Sequence, residues 1–205
     1  MRKVFLILCL VTFLCLGYSF IVNKESKNKP LVGMELTSNR LNKQVKSLKT
    51  FLTANPKYNQ EIGFFIDMKV MSGRSRFFMY DFRKNKVIDK GLVAHGSGSE
   101  TGVEGQLTFS NIDNSYATSI GKYSIDEKYS GKFGEAYKLT GLDETNSNAR
   151  KRSIVLHKYY AVPYEEQSEP IFNSLGCPMV NKDYFVRIEE LVDASKKNIL
   201  LTIYY

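Results

Sequence analysis

From residue 61 onward the chain is a succession of short apolar runs cut by glycines and polar turns, the pattern of a sheet protein rather than a helical bundle. Ile62-Gly63-Phe64-Phe65-Ile66-Asp67-Met68 and Arg76-Phe77-Phe78-Met79-Tyr80-Asp81-Phe82 read as paired strands around a Ser72-Gly73 turn. Lys86 to Ile88 and Leu92 to Ala94 follow, then the glycine-rich His95-Gly96-Ser97-Gly98-Ser99. Further strands are expected over Gly121 to Ile125, Ala136 to Leu142, Ser153 to His157 and Ile199 to Tyr205. A single late helix, capped by Asp183, carries Phe185, Ile188, Leu191 and Val192 on one side. This order predicts a mainly β fold, a sandwich or barrel-like sheet.

Ahead of the strands, Ser38 starts an expected helix over residues 38–55. Leu41, Val45, Leu48 and Leu52 recur along it at helical spacing, and it stops before Pro56. Its other face carries Arg40, Lys43, Lys46 and Lys49, a solvated face or one attracted to an anionic membrane surface. Residues 23–37, polar and holding Pro30 and Gly33, read as a linker. Met1-Arg2-Lys3 followed by the apolar run Val4 to Val22 reads as a signal peptide or a single-span membrane anchor, residues 1–22. The chain is therefore expected to be exported to the periplasm or cell envelope, and residues 4–22 are its possible membrane contact. With an anchor retained, the domain would sit at the inner membrane.

The formal charge of +8 raises the question of nucleic acid, and its distribution answers it. Ten of the 29 Lys/Arg and two of the 21 Asp/Glu fall in residues 1–57, so the remainder holds 19 of each sign and is neutral. No nucleic-acid partner is expected. A hydrophobic content of 43% is enough for a packed core, and 205 residues fit one domain with an appended N-terminal segment.

Two of the three cysteines lie in the apolar N-terminal run, which leaves Cys177 alone in the folded part. A solitary thiol in an exported protein is structural, intermolecular or reactive. Its setting, Ser174-Leu175-Gly176-Cys177-Pro178, favours reactivity. A thiol becomes a useful nucleophile beside an imidazole, and the chain has two, His95 and His157. His157 ends the strand-like Ile154-Val155-Leu156 run twenty residues before the cysteine, a spacing that lets two adjacent strands and a long loop bring the pair together. Gly176, lacking a Cβ, permits a tight turn that exposes its N–H beside that of Cys177 as an oxyanion hole. Histidines and a cysteine this far apart do not make a zinc spacing.

His157 followed by Ser174-x-Gly176-Cys177 resembles the His…Ser/Thr-x-Gly-Cys signature of YkuD-like L,D-transpeptidases. Pro178 after the cysteine is similar to the murein L,D-transpeptidase catalytic-domain branch. So are His95-Gly96-Ser97-Gly98-Ser99, Ser119-Ile120-Gly121-Lys122-Tyr123 and Asn148-Ala149-Arg150-x-Arg152-x-Ile154-Val155-x-His157. The resemblance spans roughly residues 61–205 and implies a catalytic domain over 38–205 acting on peptidoglycan stem peptides. It implies a thioester on Cys177, His157 as base and acid, and oxyanion donors from Cys177 and Gly176. The acyl group passes to an amine of a second stem, or to water, which would make the protein an L,D-carboxypeptidase. Ser174 orients the catalytic loop, while His95, Arg150 and Arg152 are substrate-binding candidates, the arginines through bidentate contact with a stem carboxylate. No cofactor is implied. Met179 stands where the commonest pattern has Arg or Asn. A sortase-type transpeptidase fits less well, because Gly176 precedes the cysteine and Arg187 falls in the late helix. A non-catalytic wall-binding domain remains the reading from a different class.

Overall fold

The computed structural model describes residues 33–131 and 134–205. The expected signal or anchor segment 1–22, and the linker up to residue 32, lie outside the described residues. Two compact units divide the chain, Met1–Arg40 and Leu41–Tyr205. In the first, residues 33–40 are helical. Helix therefore begins by Gly33, five residues before the expected start at Ser38, and the linker is shorter than predicted. No helix of the described residues is long and apolar enough to cross a membrane.

In the second unit helix α1 (residues 41–54) precedes nine strands. These are β1 (Ile62–Asp67), β2 (Phe77–Asp81), β3 (Lys86–Gly91), β4 (Val93–Ala94), β5 (Gly121–Gly131), β6 (Gly134–Gly141), β7 (Val155–Lys158), β8 (Met179–Val180) and β9 (Leu200–Tyr204), with α2 (Lys182–Asp193) between β8 and β9. They form one sheet in the order β3-β2-β1-β9-β5-β6-β7-β8-β4. The β1–β9 and β7–β8 pairs are parallel and the rest antiparallel. The mainly β class and the late helix are as the sequence predicts, and the expected β1–β2 pairing is observed, with Phe64 opposite Met79.

Period-two alternation separates two cores. Phe64 and Ile66 of β1, Phe77 and Met79 of β2, and Leu201 and Ile203 of β9 enter one core with Tyr184, Phe185 and Ile188 of α2. Their neighbours Phe65, Phe78, Tyr80 and Leu200 face the other way, onto Leu41, Val45, Leu48 and Leu52 of α1. Each of those helix side chains contributes about 1.5–3 kcal/mol by leaving water. The cap of α2 is Asn181, whose side chain accepts from the Asp183 N–H at 2.8 Å. Asp183, the expected cap, lies instead in the first turn, where its charge complements the helix N-terminus.

Strands β3 and β4 are joined by Leu92 alone, yet stand at opposite ends of the strand order, so the sheet nearly closes on itself. Arg76 spans that seam. Fully buried, it donates from Nε and Nη2 to the Val93 carbonyl at 3.0 and 2.8 Å and from Nη1 to the Val70 carbonyl at 3.1 Å. Its backbone N–H reaches the Gly91 carbonyl at 3.1 Å. Burial pulls its pKa down to about 9, which leaves it cationic at neutral pH.

Candidate active site

Parallel pairing of β7 with β8 sets His157 opposite Met179, two residues past Cys177. Leu156 and Val180 point into the core, so by alternation His157, Val155 and Met179 take the outer face. Cys177 Sγ accepts from the Val155 N–H at 3.5 Å and approaches the Ser153 carbonyl at 3.8 Å, and its side chain packs against apolar clusters on both sides of the sheet. The sulfur thus lies against residues 153 and 155 of the segment that bears His157. Ser153 holds a positive φ of 54°, strain of a kind that gathers at working sites.

The His157 ring is buried, and its Nδ1 lies 3.0 Å from the Lys158 carbonyl. A carbonyl only accepts, so Nδ1 carries the proton and Nε2 is the basic nitrogen of the neutral ring. Burial lowers the pKa of this imidazole, against the opposing pull of the Lys158 carbonyl. Burial also raises the Cys177 thiol, which the Val155 N–H and the charge of Arg152 partly offset. At rest the pair is a neutral thiol and a neutral imidazole.

Ser174 closes its own turn onto Gly176, at a cost to the expected pair of oxyanion donors. Its Oγ accepts from the Gly176 N–H at 3.0 Å. That donor is committed, so the Gly176 N–H is not free to serve as an oxyanion donor, whereas the Cys177 N–H has no acceptor among the described residues. The need for glycine is conformational: φ is +115°, and a Cβ would sit 3.1 Å from the Ala117 carbonyl and 3.2 Å from Ile154.

His95 does not offer its ring to a substrate. Nδ1 lies 2.8 Å from Arg76 Nη2, which can only donate, so Nδ1 accepts and Nε2 donates to Glu100 at 2.8 Å. The same residue clamps the nucleophile loop through its backbone, its carbonyl taking the Ser174 N–H at 2.7 Å. Next to it, Gly96 bridges to Ser174, and a Cβ there would fall 2.2 Å from the Tyr116 carbonyl. Seam, His95 and catalytic loop are therefore one connected structure, and Arg76 and Glu100 are members that sequence reasoning missed. An arginine opening the otherwise apolar Phe77 to Met79 run was the available signal.

The two arginines part company. Arg150 forms ion pairs with Glu127 at 3.1 Å and Asp126 at 3.7 Å. It lines a cleft of about 320 Å³ with Tyr129, Lys138, Ser153, Ile154 and Val155, two of which touch the sulfur. Arg152 points inward, donating to the carbonyls of Ser110 and Ala117 at 2.8 and 2.6 Å and to the hydroxyls of Ser119 and Ser115, each at 3.3 Å. Its donors are taken up under the loop, so it does not grip a substrate carboxylate. Among the described residues no group of three His, Cys, Asp or Glu could hold a metal ion.

Both histidines are held neutral by burial, with folded pKa values below the unfolded value of about 6.5. A depressed pKa contributes stability that is complete above the unfolded value and lost as pH falls toward the folded one. Thermal stability is therefore expected to drop on acidification below about pH 6.5, and a His95→Gln variant to lose part of that dependence. Calorimetry across pH 4.5–8 checks both.

Residues 33–204 match the L,D-transpeptidase catalytic domain family. The chain belongs to that family. Among solved structures it is similar to the L,D-transpeptidase of Mycobacterium smegmatis, at 11% identity and a TM-score of 0.42, covering 71% of this chain and 59% of that one. The L,D-transpeptidase of Xylanimonas cellulosilytica gives 12% identity and a TM-score of 0.38, with 70% and 60% coverage. The helical cell shape determining protein of Campylobacter jejuni gives 13% and 0.44, with 70% and 47% coverage. The chain thus spans about half to three-fifths of the length of these structures. A search of curated protein sequences gave no match.

Proposed function

We propose that this chain is an exported, cysteine-dependent acyltransferase that forms L,D cross-links between peptidoglycan stem peptides, with residues 1–22 as its signal or anchor. The observation that carries this reading is the parallel pairing of β7 with β8, which sets His157, its Nδ1 proton fixed by the Lys158 carbonyl, opposite the residue two past Cys177, whose sulfur lies against the Val155 N–H.

The thiol proton passes to Nε2 of His157 as Sγ attacks the carbonyl between an L-centre and a D-residue. The oxyanion is held by the Cys177 N–H. Collapse breaks the C–N bond, the imidazolium protonates the departing D-amino acid, and a thioester remains. An amine of a second stem then attacks the thioester and restores the thiol. Arg150, on the cleft beside the sulfur, is the remaining candidate for a stem carboxylate, in exchange for its present partners Asp126 and Glu127.

A carbapenem, a strained acyl donor, should add its mass to the protein and fail to do so in Cys177→Ala. Purified tetrapeptide muropeptides should yield dimers with release of the terminal D-residue. Tripeptides without any dimer would refute cross-linking and leave hydrolysis by the same site. No adduct at all would return the chain to a wall-binding role.

A further inference from the structure

Arg152 differs from Arg150 and Lys138, which flank the nearby cleft, in having no anion among the described residues. Arg150 is neutralised by Asp126 and Glu127, and Lys138 by Glu127. The acceptors of Arg152 are two backbone carbonyls and two serine hydroxyls, all neutral, and among the described residues it makes no ion pair. The nearest phenol cannot compensate it. Tyr123, bonded through its hydroxyl to Ser119, is buried and pushed up to about 12, so it stays protonated. A partly buried guanidinium with full charge and no counter-ion is costly unless an anion arrives during function.

The guanidinium lies directly under the nucleophile turn. Nη2 sits 3.4 Å from where a Gly176 Cβ would stand, and its acceptor, the Ala117 carbonyl, is the same atom that would crowd that Cβ at 3.1 Å. The residue leads into the strand that carries Val155 and His157, so one short segment supplies this cation, the Sγ contact and the base. Met179, two residues past the cysteine, is buried in an apolar cluster and brings no charge.

We infer that Arg152 is a positioning residue whose counter-ion is the Cys177 thiolate itself: it braces the Gly176 turn from below and holds an uncompensated positive charge against the sulfur as its proton leaves for His157. This assignment rests on Cys177 being the nucleophile, and it replaces substrate recognition as the role of Arg152. Its consequence is a division of labour. His157 removes the proton, and Arg152 favours the anion that is left, in a pocket whose burial otherwise opposes it.

The test uses the full-length chain and iodoacetamide alkylation of Cys177 as a function of pH, read by mass, which needs no wall substrate. Arg152→Gln should move the alkylation midpoint up by roughly one unit and slow alkylation at pH 7 about tenfold. Arg152→Lys, which keeps the charge, should restore most of that rate. Should Arg152→Gln fail to fold, Ser115→Asp sets a carboxylate beside Nη2 and should also raise the midpoint. An unchanged midpoint in the glutamine or the aspartate variant would overturn the assignment, as would equal shifts in the lysine and glutamine variants. Absence of muropeptide products with the alkylation shifts intact would count against the acyl-transfer reading and leave the electrostatic one standing.

Discussion

Alanine at either Cys177 or His157 is expected to lower turnover of a tetrapeptide donor by about a thousandfold or more, and the double variant to be little worse than either single one. The reason is the resting state. Burial keeps the imidazole neutral and the thiol protonated, so no preformed thiolate waits for substrate and the sulfur is nucleophilic only as the ring takes its proton. Groups that act as one unit lose their function together, which is why the losses should not add. Single-turnover formation of the acyl-enzyme, followed by mass, checks this. A His157→Ala protein that acylates within tenfold of wild type would show that the ring is not the base. The acid limb of acylation should lie below the ordinary histidine range, because the folded pKa is depressed.

The second large effect concerns stability. Arg76→Met keeps the stem and removes the head, leaving the Val93 and Val70 carbonyls and His95 Nδ1 without their donor inside the protein. Loss of a buried charged hydrogen-bonding hub of this kind costs about 3–5 kcal/mol, and urea unfolding should show that loss as a lower midpoint with an unaltered slope. The variant should also be less acid-sensitive. The positive charge of Arg76 is one of the influences that depress His95, so without it the ring can be protonated at less expense.

Much of this architecture could be read from residue order because alternation is a local signal. Phe64 to Asp67 and Phe77 to Asp81 declare both their strands and their two-sided burial. Cys177 and His157 stood out by the scarcity of both residue types, and the sulfur lies against residues 153 and 155 of the segment that carries His157. What stayed hidden depends on contacts distant in sequence. Strand β8 is only two residues long and exists because β7 and β4 flank it. That His95 is spent on Arg76 and Glu100, that the Gly176 N–H is spent on Ser174, and that Arg152 points inward follow from the closure of the sheet, which no window of residues reports. That residues 33–37 are helical escaped for another reason: Gly33 is a loop former by propensity, and propensity was a weak guide there.

Strand β9 lies in the middle of the sheet, between β1 and β5, with one neighbour from each half of the strand order. Away from the seam at Arg76, those two pairings are what tie β1 to β5. The last strand of the described fold is thus the keystone of the sheet: a truncation that removed residues 200–204 would leave β1 and β5 each with an unpaired edge in the sheet's interior.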